Sequence, residues 1–168
     1  MVTQKDILGS IHAALSEILD PELPCSIVDL GLVETVELDD DHSATITLLP
    51  TFSGCPALDM ITKDVTTRIS KIPEIQSCQV QWVFEPAWTT DRISKAGRDS
   101  LKAHGVTVPE HGPPRKDRVP LTTSVIKCPF CQSNETSLDS LFGPTRCRMI
   151  YYCQACQNSF EHMKRIDL

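Results

Sequence analysis

The sequence predicts a two-layer α+β sandwich with element order α-β-β-α-β, followed by a small ribbon held by cysteines. Three observations carry this. Helical and strand periods alternate along residues 3–101. A proline-rich basic stretch then interrupts all periodicity, and two Cys-x-x-Cys pairs follow it.

Thr3 and Asp6 have capping-box spacing, and Ile7, Leu8, Ile11, Leu15, Ile18 and Leu19 then form one apolar helix face. Asp20-Pro21 is expected to end that helix, because the residue before proline avoids the helical region. Residues 33–38 read as a strand and Asp39-Asp40-Asp41-His42 as a hairpin turn. In residues 43–49, Ala44, Ile46 and Leu48 alternate with Thr45 and Thr47, which predicts a half-buried strand stopped by Pro50. Pro56 is expected in the first turn of a second helix, carried by Leu58, Ile61, Val65 and Ile69 and broken at Ile72-Pro73. Cys78, Val80, Trp82 and Phe84 give a third strand with one face in the core. The strand-helix-strand crossover is expected to be right-handed, with two helices on one face of a three-stranded sheet. Thr89 or Thr90 would cap a last helix bearing Ile93, Ala96 and Leu101, with Gly105 as its stop. The predicted organisation is a domain over 1–105, a stiff basic linker over 106–124 and a ribbon over 125–168.

Composition narrows the function classes. The net charge of −6 argues against a general nucleic-acid binder. Charge is uneven: residues 1–110 carry 17 acidic against 8 basic side chains, net −9, and residues 111–168 carry 5 against 8, net +3. The two parts can therefore attract different partners. No basic start followed by an apolar run suggests a signal peptide, and no apolar run approaches the ~20 residues of a membrane span. Eight cysteines without a secretory signal point to metal or thiol chemistry in a reducing cytoplasm.

Two stretches carry chemistry. Cys55 follows the polar loop Thr51-Phe52-Ser53-Gly54 and is expected at a helix N-terminus, where unpaired N–H groups favour a thiolate. Gly54 would let a bulky ligand approach the backbone. Asp20, Glu22 and Asp29 crowd one loop; they are either solvated turn residues or groups facing a metal or a thiol. The second stretch is more specific. Cys128-Pro129-Phe130-Cys131 and Cys153-Gln154-Ala155-Cys156 can each bend into a knuckle, and two knuckles make a tetrahedral S₄ site for zinc or iron. Phe130, Phe142, Ile150, Tyr151, Tyr152 and Phe160 are too small a core to fold alone. Metal binding would supply the missing free energy, on the order of 10 kcal/mol. His162 and Cys147 are expected to stay outside the site. Of the remaining thiols, Cys78 should be buried and inert, Cys25 should be held neutral by the acids near it, and Cys147 lies between Arg146 and Arg148.

Asp20-Pro21-Glu22, Ile27-Val28-Asp29-Leu30-Gly31-Leu32-Val33 and Thr51 to Pro56 resemble the signature of the MIP18 family, also called the DUF59 domain. The appended ribbon resembles one branch of that family, which accompanies the phenylacetyl-CoA epoxidase system of bacterial phenylacetate degradation. The resemblance implies the two-layer fold of iron–sulfur cluster assembly scaffold domains. It implies an accessory protein that assists iron–sulfur cluster or metal assembly and has no catalytic residues of its own. Cys55 matches the family's reactive cysteine, and Asp20, Glu22 and Thr51 become site candidates with it. Expected cofactors are one structural zinc on Cys128, Cys131, Cys153 and Cys156, and a transient iron–sulfur cluster or iron at Cys55. Expected partners are the oxygenase and reductase components of the epoxidase system. One thiolate cannot hold a cluster, so a homodimer, partner cysteines or nearby carboxylates would complete the site. Two other classes stand beside this one: a structural subunit of the oxygenase complex, and a zinc-ribbon adaptor for protein or nucleic acid using Arg146, Arg148, Lys164 and Arg165.

Overall fold

The computed structural model describes residues 3–112 and 125–165 and divides into two compact units. The first holds the chain to Trp88 together with Arg92–Gly97; the second holds Thr89–Asp91 and the chain from Arg98.

In the first unit, α1 (Gln4–Ser16) starts on the expected capping box: Asp6 N–H donates to the Thr3 hydroxyl, and Thr3 N–H donates to Asp6 at 2.9 Å. Such a cap stabilises the helix by about 1 kcal/mol. Ile7, Ile11 and Leu15 are buried. The helix stops at Ser16, four residues before the expected Asp20. The reason is a competing backbone pairing. Leu19 bridges Ser26, and Ile27 N–H donates to Ile18 C=O, so residues 18–27 form a closed loop and Leu19 is 62% exposed.

The sheet order is β1 (Val33–Leu38), β2 (Ser43–Leu48), β3 (Ser77–Trp82), with β1 antiparallel and β3 parallel to β2. Central-strand residues Ala44, Ile46 and Leu48 are fully buried, and their neighbours Cys78, Val80 and Trp82 on edge strand β3 are half-buried. Phe84 lies past the end of β3 and is 55% exposed, so it does not continue the core face. The opposite sheet face is polar: Thr35, Thr47 and Gln81 share one row, and Glu37, Thr45 and Gln79 the next. The crossover helix α2 (Leu58–Ile69) buries Ile61, Val65 and Ile69 and packs on α1 and β3.

Asp29 knits this unit together. Its Oδ2 accepts from Ser26 Oγ at 2.9 Å, and its Oδ1 accepts from Ser94 Oγ at 2.5 Å. Gly31 has φ +69°, and a Cβ there would stand 2.5 Å from the Arg92 carbonyl oxygen, so only glycine fits. Arg92 donates to Gly31 C=O and pairs with Glu34. Helix α3 (Lys95–Ala103) is capped by Ser94, whose Oγ accepts from Gly97 N–H, and not by Thr89 or Thr90. Thr90 sits instead in a short 3-10 turn, Thr90–Arg92. Gly105, at φ +78°, follows the helix as expected.

The second unit contains a four-stranded sheet of order β4-β7-β6-β5. Its strands are β4 (Val106–Thr107), β5 (Thr136–Ser140), β6 (Arg148–Cys153) and β7 (Ser159–Met163). Val106–Thr107, at the start of the stretch read as a linker, pair with β7 in parallel. Residues 113–124 of that stretch lie outside the described residues. The buried centre of the ribbon is Cys128, Tyr151, Cys153 and Phe160. Phe130 and Phe142, expected in this core, are 54% and 69% exposed. Phe130 packs its ring edge toward Gly105, and Phe142 lies under the Lys164 ammonium, 4.5 Å from the ring centre.

Candidate thiol site and metal centre

Cys55 is positioned by a turn between β2 and α2. Buried Leu49 ties the strand end down by donating its N–H to Leu32 C=O. The chain then turns over Phe52–Cys55, with Cys55 N–H donating to Phe52 C=O at 3.2 Å. Helix α2 begins at Leu58 with Ala57 as its N-cap. Pro56 therefore precedes the helix instead of lying in its first turn, and Cys55 stands two residues before the cap. The Ala57 side chain has no oxygen, and no side-chain hydrogen bond caps the first N–H groups of α2. Such an end carries partial positive charge and favours an anion ahead of it. Cys55 is half-buried, while Ser53 and Gly54 are exposed. The space over Gly54 is taken by Phe52: a Cβ at 54 would lie 2.9 Å from the Phe52 ring.

The acidic loop is largely self-contained. Asp20 Oδ1 accepts from the N–H groups of Glu22 and Leu23 at 2.8 and 2.9 Å, an Asx-type turn. Glu22 is exposed on that loop, and Thr51 is half-buried just after β2. Cys25 is buried, and its thiol is pushed up to about 11, first by desolvation and then by Asp29 and Asp20. Burial thus outranks the acids that the sequence alone offers as the cause. Cys78 is half-buried and raised by desolvation. Cys147 is half-buried with its Sγ 3.1 Å from Thr145 Oγ1.

In the second unit the four paired cysteines converge. The sulfurs of Cys128, Cys131, Cys153 and Cys156 all lie within 4.8 Å of one another. Cys128 and Cys156 are 3.6 Å apart, Cys131 and Cys153 3.5 Å. A tetrahedral zinc with Zn–S bonds of about 2.3 Å needs sulfur separations of about 3.8 Å, so the donor set fits. The knuckles repeat one backbone pattern. Cys128 N–H donates to Ser133 C=O and Gln132 N–H to Cys128 C=O; Cys153 N–H donates to Asn158 C=O and Gln157 N–H to Cys153 C=O. Gln132 and Gln157 both have positive φ, 63° and 57°. Ser133 and Asn158 each donate a backbone N–H to the second sulfur of their pair, Cys131 and Cys156. The Asn158 side-chain amide, and after it the Cys131 thiol, draw the Cys156 thiol down to about 6. In the metal-free set, against the Ser133 N–H, desolvation and the other three thiols push Cys131 up to about 12. The glutamine after each pair is the sequence signal that reveals this repeat.

His162 stands apart from the sulfurs in β7. Its Nδ1 is 2.8 Å from Thr107 Oγ1, its ring meets Tyr151 edge-on, and burial pushes its pKa down to about 4. Of the basic residues weighed for nucleic acid, Arg148 is buried against Glu161 and Arg165 pairs with Asp91 at 3.0 Å. Among the described residues no helix is long and apolar enough to cross a membrane.

Comparison with known proteins follows this division. A family described as iron-sulfur cluster assembly protein matches residues 9–82, and one described as PaaD zinc beta ribbon domain matches residues 112–164. The chain is 37% identical over 92 residues to an Fe-S protein maturation auxiliary factor of Bacillus subtilis (strain 168), covering 55% of this chain and 90% of that protein. The crystal structure of a domain of unknown function, DUF59, from Bacillus anthracis superposes with a TM-score of 0.56 at 34% identity, over 58% of this chain and 93% of that one. One relative spans both units: the D subunit of the putative 1,2-phenylacetyl-CoA epoxidase of Escherichia coli (strain K12). It is 34% identical over 163 residues, 93% of this chain and 92% of that protein. The match to that relative runs across both the α+β unit and the ribbon, and the chain belongs to the family of the 1,2-phenylacetyl-CoA epoxidase D subunits.

Proposed function

We propose that this protein is an accessory factor that assists iron–sulfur cluster or metal assembly for a multicomponent oxygenase of the phenylacetyl-CoA epoxidase type. The supporting observation is the Cys55 turn, ahead of an uncapped helix N-terminus, inside the region that matches the cluster-assembly family. In this role Cys55 supplies one thiolate to a cluster or iron ion that is cargo, passed on to a partner. Clusters generally take four ligands, so the rest come from a second copy, from the receiving oxygenase or reductase component, or from exposed Glu22. Asp20 and Thr51 complete the set of residues proposed for this site. The half-buried setting of Cys55 suits transient holding better than a permanent centre. The four ribbon thiols hold one zinc that organises the ribbon and takes no part in transfer.

Cells lacking the gene, complemented with Cys55→Ser, test the role of the thiol. The expected result is an oxygenase system deficient in iron and sulfide, with fold and zinc content of the variant unchanged. Wild-type maturation by Cys55→Ser would sink the proposal.

A structural component of the complex is the second reading, favoured by Leu141 and Phe142, which are exposed on the β5–β6 connection. Under that reading Phe142→Ser, and not Cys55→Ser, releases the protein from its copurifying partners.

A further inference from the structure

The four ribbon sulfurs have matching backbones and unequal exposure. Cys128 and Cys153, the first of each pair, are completely buried. Cys131 is exposed and Cys156 half-buried. The second sulfur of each knuckle accepts the same kind of N–H···S bond, from Ser133 or from Asn158. The Asn158 side-chain amide adds a further hydrogen bond at Cys156, so hydrogen bonding favours that sulfur, and exposure is what singles out Cys131. A buried thiol is inert toward solutes, whereas an exposed thiolate meets them. Cys131 Sγ lies 3.5 Å from Cys153 Sγ, across the site on the other knuckle.

We infer that Cys131 is an oxidation site through which hydrogen peroxide opens the ribbon and releases its metal, with Cys153 as the resolving thiol. The inference rests on the zinc assignment proposed above. The Cys131 thiolate attacks one peroxide oxygen; the S–O bond forms, the O–O bond breaks, and hydroxide leaves. The Cys153 thiolate then attacks the sulfenic sulfur; the S–S bond forms and a second hydroxide leaves. Two thiolates lose two electrons in total and one peroxide gains them. The metal keeps only Cys128 and Cys156, half of a four-coordinate set, and dissociates. Because two core residues of the ribbon are themselves thiols of this set, release also loosens the packing of Tyr151 and Phe160.

The test uses the full chain, with zinc counted at the start, exposed to hydrogen peroxide beside a chromophoric zinc chelator. Alkylation and peptide mapping follow each thiol. Zinc release should be first order in peroxide. Cys131 should lose alkylation about tenfold faster than Cys128, and a Cys131–Cys153 peptide should appear. A thiol reductant should restore zinc binding. Cys131→His keeps a four-ligand site and should release zinc about tenfold more slowly. A first disulfide inside one knuckle, or zinc loss while Cys131 remains alkylatable, overturns the inference. A zinc-loaded chain indifferent to peroxide overturns it alone; a chain purified without zinc overturns the zinc assignment as well.

Discussion

The two units solve the same folding problem with different materials. The first buries an aliphatic core, with Ile11, Leu15, Ile27, Leu30, Ile46, Leu48, Leu49 and Ile69 at or near zero exposure. The second centres on four buried residues, two of which are cysteines of the metal-ligand set. Hydrophobic burial suffices for a sheet with one face covered by helices, where each large side chain contributes roughly 1.5–3 kcal/mol. A ribbon of short strands lacks that area, and metal–thiolate bonds replace it. The difference teaches where each unit is fragile: one to cavities, the other to chelation, oxidation and acid.

The largest expected effect comes from removing the ribbon's metal. Chelation, or Cys128→Ser, should cost the ribbon on the order of 10 kcal/mol and unfold it, while the first unit keeps its cooperative transition. Zinc analysis and near-ultraviolet dichroism from Tyr151 would read this. A ribbon that stays folded with no metal would erase the contrast. The complementary cut is truncation after Gly105, which retains every residue of the first unit. That fragment should still unfold cooperatively, and an insoluble or molten product would mean that the first core is not self-sufficient.

A smaller effect is expected from the first core. Ile61→Ala should destabilise the first unit by roughly 2–5 kcal/mol, seen as a lower denaturant midpoint, with zinc content untouched. Next comes acid. His162 in its buried site binds a proton only near pH 4, whereas in the unfolded chain it does so near 6.5. The unfolded state therefore takes up the proton first. Ribbon stability should fall as pH drops from about 6.5 to about 4, by on the order of 3 kcal/mol from this group. His162→Gln should flatten that part of the pH profile relative to wild type, and an unchanged slope would remove His162 from the account. The smallest effect is expected at the knuckles. Gln157→Gly relieves a left-handed backbone and should strengthen metal retention by up to about 1 kcal/mol, measured by competition with a chelator.

Legibility in the sequence follows how local each signal is. The capping box of Thr3 and Asp6, the alternation of Ala44, Ile46 and Leu48, and the paired Cys-x-x-Cys spacing each act within a few residues, and each appears in the structure. The end of α1 is not legible, because Leu19 pairs with Ser26 through the backbone, which side-chain periodicity cannot reveal. Strand β4 is two residues long and owes its existence to a distant partner. Phe130 and Phe142 read as core residues because the ribbon needs apolar area; cysteines hold that place instead. At the Cys55 turn, the glycine is legible as a point of close approach. That its visitor is the neighbouring Phe52 ring is not, since either a ligand or a side chain fits such a space.

The parallel pairing of β4 with β7 has a consequence in time. Thr107 finds its partner His162 at a separation of 55 residues. During synthesis, at about 5–20 residues per second, β4 leaves the ribosome several seconds before β7 exists. The sheet edge that β4 will cover is itself not yet made, and the first unit has its full sequence long before. The chain therefore emerges with one half able to settle at once and the other waiting, and the waiting half carries all four ribbon thiols. Metal loading of the four thiols therefore follows the emergence of β7 and comes after the first unit has had its whole sequence to fold with.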